Sequence, residues 1–170
     1  VVGGGRDEHP REELTGKGGS AEVGLSGEEG NGDIGRAQLD RELGRTATRT
    51  MRIGAFSAAS NVTGIISDVS GISRLLHEHG ALAFWDYAAA GPYLDIRIED
   101  GAASKDAIFL SPHKFIDGPG TPGNLIVRRD PLKNTVPAAP GGGNGLWVAP
   151  TYHAQLPAAQ HREPGGTPNL

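Results

Sequence analysis

Between residues 65 and 79, apolar side chains recur at Ile65, Val69, Ile72 and Leu76, with Leu75 beside them. That four-three-four spacing lays them along one helix face, and Gly80 stands where a helix is expected to stop. On both sides of this segment the period changes. Residues 52–60 read as a strand that ends in small side chains, and residues 80–86 are an apolar run that ends in Asp86. Strand, helix and strand over 52–86 predict a βαβ unit with a parallel, right-handed crossover. Ala107-Ile108-Phe109-Leu110 is short, unbroken and bounded by polar residues, and it reads as a buried strand. Residues 123–129 form a further apolar run. It follows too soon for a helical crossover, so it is expected to lie antiparallel to 107–110.

The pattern weakens towards both ends. Asp33 is placed to cap a short helix through Ala37, Leu39 and Leu43 that ends near Gly44. Residues 21–25 suggest a weak strand, and Leu146-Trp147-Val148 a short one. Eleven of the 27 glycines fall within residues 1–35, where neither period is sustained. The expected organisation is a poorly structured segment over 1–35, a ligand-binding α/β region over 36–133, and a loop-rich extension of it over 134–170. Pro137, Pro140 and the glycines at 141–143 mark that extension as a long loop.

Composition narrows the possible functions. The chain has 170 residues, enough for one domain with a core. A net charge of −4 gives no general attraction to nucleic acid or anionic membrane. No stretch of 18 apolar residues suggests a membrane span, and no basic-then-apolar segment opens the chain. The absence of cysteine removes disulfides and thiolate zinc sites. Together these favour a cytoplasmic setting. His77 and His79 are two residues apart, which does not suit a metal pair on one helix face. They read as solvated, and no metal site is expected.

The stretch Ser111-Pro112-His113-Lys114-Phe115-Ile116-Asp117-Gly118-Pro119-Gly120-Thr121-Pro122-Gly123 concentrates the chemistry. A buried strand delivers a hydroxyl, an imidazole and an amine to its carboxyl end, where open α/β sheets bind ligands. Asp86 closes another strand in the same way. A partly desolvated lysine loses its proton readily and can form a Schiff base. A carboxylate beneath a pyridine ring keeps the ring nitrogen protonated. Hydroxyl and imidazole donors suit a phosphate. The amine and the carboxylate are the two groups that pyridoxal 5'-phosphate needs from a protein. Asn61, within Ser60-Asn61-Val62-Thr63-Gly64, begins a turn, and a turn or cap role is equally natural for it.

The run at 111–123, with Asp86 and Asn61 upstream in this order, resembles the class V aminotransferases, the cysteine desulfurase and selenocysteine lyase group of fold-type I pyridoxal-phosphate enzymes. The resemblance is firm from about Arg52 to Arg129 and looser beyond. It implies an α/β fold, part of the large domain of the fold-type I transferase fold, with a mostly parallel sheet flanked by helices. It implies that Lys114 forms the internal aldimine, that Ser111 and His113 contact the cofactor phosphate, and that Asn61 lies near the phenolic oxygen. It also implies a homodimer acting on a small amino-acid substrate. Thr167, in Gly-Thr-Pro, would reach the partner's phosphate, and a plain turn threonine is its other reading. His9, after Asp7-Glu8, would stack on the ring, and an exposed histidine in a loose arm is its other reading.

The likeness has departures. Desulfurases commonly carry a glutamine three residues after the aspartate, where this chain has Ala89. That points to a less characterised branch. Family members are considerably longer. The glycine-threonine phosphate loop, the small C-terminal domain with its substrate-binding arginine, and the desulfurase cysteine have no counterpart here, so the chain is expected to be a fragment. Three functions follow: a transferase or desulfurase/lyase acting through Lys114, a non-catalytic remnant or scaffold of such an enzyme, and a simple phosphate-binding module.

Overall fold

The computed structural model describes residues 14–16, 19–21, 33–133, 145–149, 152–155 and 157. In chain order its elements are β1 (Leu14–Gly16), β2 (Gly19–Ala21), α1 (Arg36–Arg45), β3 (Ile53–Ser57), α2 (Val69–Glu78), β4 (Leu82–Asp86), β5 (Ala107–Leu110), β6 (Asn124–Val127), β7 (Gly145–Ala149) and β8 (Tyr152–Gln155). These form two compact units. One holds β1 to β6 with both helices, and the other holds 120–122 and the chain from Arg128 onwards. In the second unit β7 pairs with β8 antiparallel. The first of these two strands answers the Leu146-Trp147-Val148 expectation. β8, whose Tyr-His-Ala-Gln sequence has no clear alternation, was not expected. β1 and β2 form a separate antiparallel pair. The weak strand expected over 21–25 contributes Ala21 to it, and 22–25 lie outside the described residues.

The first unit is built on a four-stranded sheet in the order β3-β4-β5-β6. β3 pairs parallel with β4 and β4 parallel with β5, while β6 runs antiparallel to β5. This is the mostly parallel α/β arrangement that the sequence predicts. Side chains on alternate residues of a strand share one face. Phe56, Ala83, Trp85 and Ile108 are buried with Leu39 and Leu43 of α1 and Ile72 and Leu76 of α2. Phe56 and Trp85 are register partners whose rings lie 5.8 Å apart. The Trp85 indole N–H donates to the Ser73 hydroxyl at 2.9 Å, so the core's polar group is satisfied.

The helices begin differently from expectation. α2 starts at Val69, not at Ile65. The Asp68 carboxylate accepts from the Gly71 N–H at 2.9 Å, and this cap fixes the first turn. Ile65 and Ile66 instead belong to a return loop, in which the Ser60 N–H donates to the Ile65 carbonyl and Ala59 bridges Ile66. The helix ends as expected. The N–H groups of Gly80 and Ala81 donate to the carbonyls of His77 and Leu76 at 2.8 Å each, and Gly80 has φ of 67°. That left-handed closure is one glycine adopts without penalty. At α1 the N-cap is Gly35 without a side-chain cap, and Asp33 Oδ1 accepts from the adjacent Ile34 N–H. Asp33 therefore does not cap α1, because its side chain is spent two residues too early.

His77 and His79 are not solvated. His77 Nε2 lies 2.8 Å from Asp106 Oδ2 and its Nδ1 lies 2.9 Å from the Ala102 carbonyl. His79 Nε2 lies 2.7 Å from Asp40 Oδ1. The same oxygen of the buried Asp106 accepts from the Ala83 N–H, which ties α2, β4 and the start of β5 together. Among the described residues no group of three or more His, Cys, Asp or Glu could hold a metal ion, and no helix is long and apolar enough to cross a membrane.

Candidate functional site

Because β3, β4 and β5 are mutually parallel, their carboxyl ends lie along one edge of the sheet. Ser57, Asp86 and Phe109 stand there in register. Beyond these strand ends the chain carries most of the residues that the sequence marks for chemistry.

Asp86 is the last residue of β4 and is exposed. Its Oδ1 accepts from the Ala88 N–H at 2.7 Å, an Asx turn that orients the carboxylate and bends the chain away from the strand. Past β3, the Ser60 hydroxyl accepts from the N–H groups of Val62 and Thr63 at 3.2 and 3.1 Å. The turn role considered for Asn61 thus belongs to Ser60. The exposed Asn61 amide makes no hydrogen bond to the described residues.

Past β5, Pro112–Lys114 form a short 3-10 turn. Proline at its first position supplies a fixed φ and needs no partner for an absent N–H. The Lys114 N–H donates to the Ser111 carbonyl at 3.0 Å, the Phe115 N–H to the Pro112 carbonyl at 2.9 Å, and the Gly118 N–H to the Phe115 carbonyl at 3.0 Å. Asp117 holds a positive φ of 64°, a conformation that aspartate tolerates better than most residues. The backbone of this segment is therefore closed on itself. Its side chains are not: Ser111, His113 and Lys114 have no side-chain hydrogen bond or ion pair among the described residues. The contrast with the paired His77 and His79 is plain.

The desolvation expected for the reactive lysine is absent, because Lys114 is exposed. The buried lysine is Lys105, whose side chain is 3% exposed and lies 3.7 Å from Asp100 Oδ2. Burial lowers its pKa, and the Asp100 charge partly offsets that. Lys105 precedes β5 and so sits at the amino end of the sheet, away from the strand ends that carry Asp86 and Lys114. His9 and Thr167 lie outside the described residues.

Two residues escaped the sequence reading. Tyr87 is buried directly after Asp86, and burial pushes its phenol pKa up. Gly91, also buried, packs against residues on both sides of the Ser111–Lys114 segment. The small residues from Ala88 to Gly91 are expected from the sequence to let the chain pass close to a bound ring, and what Gly91 meets in the fold is Leu110 and Phe115.

Comparisons with known proteins bear on the family and the fold. The family description "Aminotransferase class-V" matches residues 30–170. A "probable cysteine desulfurase 2" of Mycobacterium leprae is 30% identical over 141 residues, covering 83% of this chain and 31% of that protein. A "probable cysteine desulfurase" of Aeropyrum pernix is 34% identical over 96 residues, covering 56% of this chain and 23% of that protein. Among solved structures, the apo cysteine desulfurase of Thermococcus onnurineus superposes with a TM-score of 0.66 at 23% identity, over 85% of this chain and 35% of that one. The chain thus spans about a third or less of the proteins it matches.

Proposed function

Because the chain belongs to the class-V aminotransferase family, we propose that it carries the cofactor-anchoring part of a pyridoxal-phosphate-dependent enzyme acting on an amino-acid substrate. The observation that carries this reading is that Asp86 ends one strand and Lys114 follows the end of the parallel strand beside it, with the Ser111, His113 and Lys114 side chains left unspent. The donor set fits the group. Lys114 supplies the amine that anchors the cofactor's aldehyde carbon. Asp86, oriented through the Ala88 N–H, keeps the ring nitrogen protonated with its remaining carboxylate oxygen. The Ser111 hydroxyl and His113 imidazole donate to the phosphate. Asn61 donates to the phenolic oxygen. His9 would stack on the ring, and Thr167 would serve the phosphate site of a second subunit in a homodimer, as the family resemblance implies. When bound, the cofactor supplies an electron sink for bonds broken at the substrate's α-carbon.

That chemistry serves amino-group transfer and desulfurase or lyase reactions alike, and the proposal covers this group without choosing among them. An exposed Lys114 fits a site that the rest of a longer relative covers.

Borohydride reduction in the presence of pyridoxal phosphate, followed by peptide mass mapping, tests the proposal. Reduced cofactor is expected on Lys114, and the modification at that site disappears in Lys114→Ala. Asp86→Asn is expected to weaken cofactor binding while leaving the chain folded. A folded chain that acquires no label at Lys114, or labels indiscriminately across its lysines, overturns the enzymatic reading.

A further inference from the structure

The segment Ser111–Lys114 is bracketed by Leu110 and Phe115, and both side chains meet the same place in the fold. A Cβ built on Gly91 would lie 3.2 Å from Leu110 Cδ2 and 3.2 Å from Phe115 Cζ. It would also lie 2.9 Å from the Tyr87 carbonyl oxygen. Contacts this short force the neighbours to give way. Gly91 is not among the glycines with positive φ, which are Gly64, Gly80, Gly101 and Gly120. Its φ therefore admits alanine, and what glycine provides there is space, towards the Tyr87 carbonyl of its own turn as well as towards Leu110 and Phe115.

Gly91 belongs to the chain that carries Asp86. The Tyr87 N–H donates to the Phe109 carbonyl at 2.9 Å, which fixes the tail of β4 to β5. The Gly91 N–H then returns to the Tyr87 carbonyl at 2.6 Å, closing one helical turn. That turn presents the bare Cα of Gly91 to Leu110 and Phe115. The carboxylate-bearing strand end and the amine-bearing turn are thus packed on each other through one glycine, touched at each end of the four-residue donor segment.

We propose that Gly91 is a positioning residue: it is the seat for Leu110 and Phe115, and it sets where the Ser111–Lys114 donors stand relative to Asp86. This rests on the cofactor reading above only for its consequence, not for the packing itself. Filling the seat displaces Phe115, and Lys114 is its immediate neighbour in the chain. Small displacements of a reacting group weaken reactions that depend on alignment.

The experiment compares Gly91→Ala, Phe115→Ala and the double variant Gly91→Ala/Phe115→Leu with the parent chain. Amide hydrogen exchange at Lys114 and Phe115 reads the seat without cofactor. It is expected to speed up in Gly91→Ala and in Phe115→Ala, and to return part of the way to the parent rate in the double variant, where the shorter leucine relieves the Phe115 contact while the Tyr87 carbonyl contact stays. Borohydride trapping of pyridoxal phosphate at Lys114 is expected to slow roughly tenfold in the single variants and to recover in the double variant. Unchanged exchange in folded single variants overturns the proposal, as does altered exchange with unchanged trapping. Should Gly91→Ala fail to fold, Phe115→Ala empties the seat from the other side and decides the matter alone. If the parent chain itself does not trap cofactor at Lys114, the enzymatic reading fails, while the exchange measurement still decides whether the seat exists.

Discussion

Tyr87 is 3% exposed, and its hydroxyl has no hydrogen bond among the described residues. A buried hydroxyl without a partner costs free energy, so removing it is expected to be neutral or to stabilise by up to about 1 kcal/mol. The effect has a pH signature. Burial raises the phenol pKa in the fold above the value of 10.0 for an unperturbed tyrosine. Above pH 10.0 the unfolded chain releases the proton while the fold retains it, so unfolding gains. The stability linked to this group is therefore full below pH 10.0 and is lost as pH rises through the folded value. Tyr87→Phe is expected to show a shallower alkaline loss in denaturation measured across that range, and alkaline curves that superimpose would reject the assignment. At this scale the sequence named the donors at 111–114 by type. It did not foresee which lysine is buried. Burial of a long side chain depends on what covers it, and Lys105 is covered where Lys114 is not.

At the scale of elements, α2 shows how a periodic pattern can overrun its helix. Ile65 fits the spacing, yet it lies in the return loop, because the Asp68 side chain begins the helix three residues later. Asp68→Ala is expected to destabilise the fold by about 1 kcal/mol through loss of the cap. The same change removes the Arg36–Asp68 ion pair at 3.1 Å, but both partners are roughly half exposed, so that loss adds little. Urea titration checks this, with Asp68→Asn as control. Asparagine caps nearly as well, so it should retain most of the parent stability, and an equal loss in both variants would refute the capping account. The closing end of α2 was legible, because a glycine after the last apolar turn is a local signal. The cap at its start was overlooked in favour of the apolar spacing. The strands were found within a few residues of their ends, since 53–57, 82–86, 107–110 and 124–127 all lie inside the expected runs.

For the molecule as a whole, the core rests on a few large side chains set between one sheet face and two short helices. Leu76 is fully buried there with Phe56 and Trp85. Leu76→Ala is expected to cost about 2–5 kcal/mol, because the removed atoms leave a cavity that the sheet cannot fully close. Chemical denaturation followed by far-UV circular dichroism measures it, and Trp85, buried beside the site, supplies a fluorescence probe for the same transition. A loss below about 1 kcal/mol would show that the helix face is not anchored as described. The sheet's other face and its last strand, β6, are less covered: Phe109, Leu125 and Ile126 are exposed. The unit therefore depends heavily on this single packed layer.

The spacing of apolar residues and the connection lengths, taken alone, predicted the parallel unit of β3, α2 and β4 and an antiparallel β6 beside β5, while the mostly parallel sheet around them was implied by the family resemblance. They also put Asp86 at the end of one strand and Lys114 just past the end of another, because where a strand stops is a local signal. The tertiary structure decided what no local pattern encodes: that His77 and His79 are paired, that Ser60 rather than Asn61 closes its turn, that Lys114 is open while Lys105 is covered, and that Gly91 supports the donor segment at both ends. Apart from the Ser60 turn, whose hydrogen bonds reach only Val62 and Thr63, each of these depends on contact between segments distant in sequence. Such contacts form only once the sheet has brought those segments together, so a window on the chain cannot contain them.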